Sequence, residues 1–177
     1  MACGKWGGWN SRHNEIRDII FKFARRAMFR VEKEINWLLP SAKRPADVYF
    51  YDYKLGRDYV FDVVVTSPFN FGNIADAAAR ELNAALNSTK EKYRRLKDDF
   101  EGKLWKFQPL GFEALGGCDE PAQCLIDTIA KRMRDHSEDG ALRAATKRSM
   151  YREISCALAR WAADLVLHHQ RCVGQEL

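Results

Sequence analysis

Two β-rich runs limit the fold more than anything else in this sequence: DVYFYD at 47–52 and YVFDVVVT at 59–66, joined by a short segment around Gly56. β-Branched and aromatic residues favour strands, and a short glycine-containing link between two such runs is a hairpin signal. The second run is almost continuously apolar, as a strand covered on both faces must be. Inside it sits Asp62. A carboxylate among valines is costly unless something compensates it. By strand alternation, Val60, Asp62 and Val64 share one face while Phe61, Val63 and Val65 share the other. Asp47 opens the first run, so two carboxylates on neighbouring antiparallel strands can converge on one hard cation. Mg²⁺ suits such a pair, because it takes a few carboxylates and keeps several waters. The plainer alternative is that Asp62 pairs with an arginine or caps a backbone irregularity.

Helical patterns surround this hairpin. Ile16, Ile19, Ile20, Phe23, Ala27, Val31 and Ile35 recur at three- and four-residue steps, which predicts one long helix over 12–37, closed by Pro40 and Pro45. A second long helix is predicted over 74–100, with Ile74, Ala78, Leu82, Ala85, Leu86, Tyr93, Leu96 and Phe100 as its stripe and Gly102 as its stop. Residues 103–114 read as a third strand with an irregularity at Pro109. Two further helices follow over 121–135 and 141–169. The order is helix, two strands, helix, strand, two helices, which predicts a single α/β domain over 1–177 with a small mixed sheet flanked by helices. Residues 1–11 form a flexible N-terminal segment in this scheme, and 121–177 its helical C-terminal part.

Composition narrows the function classes. Hydrophobic residues are 46% and charged residues 30% of 177, which excludes a disordered chain. No apolar run approaches the ~18 residues that span a bilayer, and MACGKWGGWN has no hydrophobic stretch, so neither a membrane partner nor a secretory route is expected. The formal charge of +5 favours polyanionic partners. Five scattered cysteines are no disulfide framework and point to a reducing, intracellular compartment. The spacing of Cys118 and Cys124 is too loose, and His168, His169 and Cys172 too isolated, for a zinc site to be expected.

Other charged residues can reach the hairpin. Glu15 lies one helical turn before Ile19 and points along the buried stripe, although a carboxylate in a first turn is also favourable for the helix dipole alone. Lys90 and Lys92 flank the stripe of the second long helix on opposite sides, and either side chain can extend toward the sheet; taken singly, a solvated basic face continued by Arg94, Arg95 and Lys97 is the stronger reading for each. His13 is read as a helix-capping or backbone-contacting residue, with general base as the alternative. Glu113 is a lesser candidate at a strand end.

The order helix glutamate, PAD at a strand start, buried aspartate in the next strand, then lysine resembles a PD-(D/E)XK nuclease core, a restriction-endonuclease-like α/β fold. Pro45, Ala46 and Asp47 stand for the PD element and Asp62 for the second acid. Val64 occupies the position where the family usually has lysine; some branches carry that lysine on the following helix, as Lys92 or Lys90 would here. The placement of Glu15 is similar to that of the helix glutamate in archaeal Holliday-junction resolvases. Across most of the chain, GGWNSRHNEIRD, RPADV, FDVVVTSP, KEKY and PLGFEALGG resemble the nuclease-like domain attached to reverse transcriptases of eukaryotic retroelements, a match that favours Lys92 over Lys90.

The resemblance implies Mg²⁺- or Mn²⁺-dependent hydrolysis of phosphodiester bonds in branched or duplex DNA. Asp47 and Asp62 would hold the metal with the Val63 carbonyl, Glu15 would bind a second metal or its water, and Lys92 would orient the nucleophile or neutralise growing charge. Arg12, Arg17, Arg44 and Lys90 would track phosphates without reading bases. An intracellular, nuclear location, fusion to or association with a reverse transcriptase, and a homodimer belong to the same expectation. Two rival classes remain: a nucleic-acid-binding module of nuclease fold without catalysis, to which Val64 points, and a structural or oligomerising module built on Trp6, Trp9, Trp37, Trp105 and Trp161.

Overall fold

A computed structural model describes residues 8–35, 38, 46–69, 72–135 and 141–173. In chain order the elements are α1 (Gly8–Arg26), β1 (Val31–Lys33), β2 (Val48–Lys54), β3 (Arg57–Thr66), α2 (Ile74–Ala79), α3 (Asn83–Phe100), β4 (Lys106–Glu113), α4 (Glu120–Asp135) and α5 (Leu142–Val173). The fold is α/β, with a four-stranded mixed sheet flanked by helices and followed by two C-terminal helices. The sheet order is β1-β2-β3-β4. The first three strands are antiparallel and β4 runs parallel to β3. The hairpin link closes on Leu55 and Gly56, both at positive φ (55° and 69°), the conformation that matches the twist of tightly joined strands. Pro109 is tolerated because β4 is an edge strand, where a missing ladder donor costs little.

The two faces of the sheet bury different sets. On one face Val48, Phe50, Phe61, Val63 and Val65 meet Ile16, Ile20 and Phe23 of α1, Leu125 and Ile129 of α4, and Met150 and Ile154 of α5. On the other, Tyr49 and Val60 pack with Phe107 and with Phe100 and Leu96 of α3, joined by Ile35 and Leu38. This second face carries Asp62, by the alternation of β3.

Three departures from the sequence expectation have local causes. The helix predicted over 12–37 stops at Arg26. Met28 takes the left-handed conformation (φ 58°), with Phe29 N–H donating to Ala24 O and Met28 N–H to Arg25 O, both at 3.0 Å. That pair of bonds is a Schellman closure, usually signalled by glycine; with methionine there the stop is silent. Val31, counted as helix stripe, is instead a core position of a strand, β1, that the periodicity concealed. The helix predicted over 74–100 is two helices, broken where Leu82 turns left-handed (φ 63°). Leu82 settles over Gly117, where an added Cβ would lie 2.1 Å from its Cδ2. The predicted stripe holds in part: Ala85 and Phe100 are buried as expected, but Ile74 is 48% and Tyr93 50% exposed, and Ala84 and Thr89, outside the stripe, are buried.

Candidate functional site

Asp47 stands immediately before β2, and Asp62 is its partner across the hairpin when the β2–β3 register (Val48 with Phe61, Tyr49 with Val60) is carried one step further. Tyr49 and Tyr51 of β2 and Val60 of β3 pack on the α3 side, so by alternation the two carboxylates share that layer. Asp47 is held from three directions. Its N–H donates to Phe61 O (3.0 Å), its Oδ2 accepts the Val63 N–H (2.6 Å), and its Oδ1 lies 2.7 Å from His13 Nε2. Asp62 is 4% exposed. Lys92 Nζ of α3 lies 2.9 Å from its Oδ2, an ion pair that meets this buried oxygen.

The electrostatics follow from this crowding. Burial raises the Asp62 carboxyl, the neighbouring Asp47 charge raises it further, and Lys92 and His13 oppose both; the outcome is a pKa pushed up to about 6. For His13 the largest influence is burial, which lowers its pKa, but the hydrogen bond and charge of Asp47 and the charge of Asp62 outweigh it and the imidazole is raised. The cluster is thus two acids balanced by an ammonium and an imidazole that favours its proton. A carboxylate whose pKa is displaced by both desolvation and a like charge marks a functional-site candidate.

The other expected residues divide. Lys90 is exposed and points away from the acid pair, into a groove beside β4. The Val63 backbone serves the site through its N–H to Asp47. Glu15 is not brought to the cluster: its two oxygens accept from Arg160 (2.9 Å) and Trp161 Nε1 (2.7 Å) of α5, tying α1 to the C-terminal helix. Arg17 is buried and engaged by Asn14, Asp18 and Glu34, and Arg12 is 3% exposed, with burial lowering its pKa. Neither lies open for phosphates. Glu113 accepts the Ala85 N–H (3.4 Å) at the start of α3. Arg44 lies outside the described residues, as do Pro45, Trp6 and Trp37. Among the described residues no group of three or more His, Cys, Asp or Glu side chains is placed to hold a metal, so any cation site here rests on two carboxylates with backbone and water.

The sequence reading undervalued His13. Its signal was the RHNE segment itself, but a histidine in the first half of a helix gives no hint of which strand end it will meet.

Two close approaches set the distances. At Gly111 a Cβ would lie 2.9 Å from Thr89 Cγ2 and 2.8 Å from Asp119 Oδ2, so glycine there lets α3 close on β4, with Lys92 one turn beyond Thr89. Asp119, 2% exposed, accepts the Ala122 N–H (3.0 Å) at the start of α4.

No protein-family model, no curated protein and no solved structure matches this chain. Among the described residues no helix is long and apolar enough to cross a membrane.

Proposed function

We propose that this protein is a divalent-metal-dependent endonuclease of the PD-(D/E)XK type that hydrolyses DNA phosphodiester bonds, and that it works with a retroelement reverse transcriptase. One observation carries the reading: Asp47 and Asp62 face the same layer from adjacent strands, with the Lys92 ammonium 2.9 Å from Asp62. The donor set fits Mg²⁺ or Mn²⁺: two carboxylates on adjacent strands share one layer, and the buried Asp62 is pushed up in pKa by desolvation and by the Asp47 charge, a load that a cation between them would relieve. A bound ion of this kind supplies charge to polarise the scissile phosphate and lowers the pKa of a coordinated water.

The chain's own groups do the rest. Val63 N–H and His13 fix the Asp47 carboxylate in place in the layer it shares with Asp62. Lys92, on a helix held close by Gly111, brings a positive charge to where phosphate oxygens gain negative charge. Val64 fills the usual lysine position without a charge; Lys92 meets the acid pair from the opposite side.

Incubating supercoiled plasmid or branched DNA with the protein and Mg²⁺ tests the reading. Asp62→Ala is expected to lower the cleavage rate by roughly a hundredfold or more, the scale of losing one preorganised charge partner. Cleavage by Asp62→Ala at the parental rate overturns the assignment.

A second reading, a nucleic-acid-binding module without catalysis, draws on Val64 and on the way Lys92 and His13 already neutralise the acid pair. Salt-sensitive DNA binding with no metal-dependent cleavage selects it.

A further inference from the structure

The acid pair uses one side of α3. The adjacent side, with β4, walls a groove of ≈820 Å³ that none of the site residues enters. Lys90, Tyr93 and Lys97 recur along it at three- and four-residue steps, and Lys106 faces them from the start of β4. All three lysines are exposed. Lys90 and Lys106 pair with no carboxylate among the described residues, and Lys97 stands only 4.0 Å from exposed Asp98. Two acids also line the groove. Asp119 is buried at one end, where its Oδ1 accepts the Ala122 N–H and burial raises its pKa, and Glu101 lies at the exposed end of α3.

The aromatic rings are ordered along this wall. Phe100 and Phe107 stack at 4.5 Å with 7° between their planes, and Tyr93 continues the stack over Phe107 at 6.3 Å and 15°. The first two rings are buried and Tyr93 is 50% exposed. Its plane therefore follows the buried rings while half of its surface is open to solvent. A fixed aromatic ring at the end of a stack, with cations on either side, is the arrangement that holds unpaired bases by stacking and their phosphates by charge. A duplex offers it little, because the faces of paired bases are already covered by their neighbours.

We propose that the groove between α3 and β4 binds a single nucleic-acid strand, with a base stacked on Tyr93 and phosphates beside Lys90, Lys97 and Lys106. The proposal builds on the nuclease reading and names the substrate form: DNA with an unpaired segment leading to the acid pair on the other side of α3.

Fluorescence anisotropy with a labelled oligothymidylate of about a dozen nucleotides, without divalent metal, tests it. Tyr93→Ala is expected to weaken binding roughly tenfold, while Tyr93→Phe, which keeps the ring, stays near the parent. Lys90→Ala/Lys97→Ala, at exposed positions, is expected to lower the log–log salt slope by about 1.4, at ~0.7 per phosphate. Circular dichroism checks that each variant is folded, and the lysine pair keeps the test decisive if Tyr93→Ala is not. Parental affinity in both Tyr93→Ala and the lysine variant, or a duplex of equal length binding as tightly as the single strand, overturns the proposal. Metal-dependent plasmid cleavage by a protein with no oligothymidylate affinity overturns the groove alone; groove binding that meets these expectations without cleavage under Mg²⁺ supports the groove and overturns the nuclease reading.

Discussion

Asp62 holds a carboxylate 4% exposed between Phe61 and Val63, with a pKa pushed up to about 6 from 3.8. The folded chain therefore binds a proton there more tightly than the unfolded chain does. Stability linked to this proton is fully present below about pH 4 and is lost as pH rises through about 6. Asparagine has no charge to desolvate, so Asp62→Asn is expected to stabilise the fold near pH 7 by on the order of 1 kcal/mol, after allowance for the lost Lys92 contact. The gain should vanish near pH 4, where Asp62 is itself protonated. Urea midpoints of the two proteins at both pH values check this; an asparagine variant less stable than the parent near pH 7 contradicts it. A side chain retained against the stability of its own strand is a sign of use. His13 answers the same charge from α1, and Asp47 is pinned between that imidazole and the Val63 N–H.

Among the elements, α1 shows how a stop can be hidden. Its Schellman closure puts Met28, 68% exposed, at φ 58°. A non-glycine residue in that region costs about 1–2 kcal/mol. Met28→Gly is expected to stabilise the protein by about 0.5 kcal/mol, less than the full strain because glycine loses more backbone freedom on folding; Met28→Val, β-branched, is expected to destabilise it. Thermal melts of the two variants would show opposite shifts, and a shift in the same direction would mean that the left-handed turn is not what ends the helix. The hairpin, β4 and both C-terminal helices were legible because periodicity and turn residues agreed there. The stop at Met28, strand β1 and the break at Leu82 were not, since each depends on a left-handed residue without a glycine to announce it. In the site, Asp62 stood out because a charge within an apolar strand is costly; Asp47 was legible from its place at the start of the neighbouring run, and Lys92 over Lys90 only through the family resemblance. Glu15 was read as reaching a metal, and Arg12 and Arg17, as basic residues beside it, as reaching phosphates; instead Glu15 is taken up by Arg160 and Trp161 of α5, Arg17 by Asn14, Asp18 and Glu34, and Arg12 is buried. One sequence does not separate charges that bind outward from charges that pair inward.

At the scale of the molecule, the sheet separates two jobs. One face, covered by α1, α4 and α5, is a large apolar core. Over the other, among the described residues, lies one helix, α3, and it meets the acid pair through Lys92 and the basic aromatic groove through Lys90, Tyr93 and Lys97. Close approach at Gly111 and Gly117 ties α3 and its leading turn to β4 and the loop behind it. The formal charge of +5 gives the whole surface a mild attraction for polyanions. Anomalous diffraction from crystals soaked in Mn²⁺ measures directly whether the acid pair is a metal centre. A peak within about 2.0–2.2 Å of oxygens from both Asp47 and Asp62 is expected. Saturating Mn²⁺ with no peak between the two carboxylates, while Lys92 stays against Asp62, would contradict it.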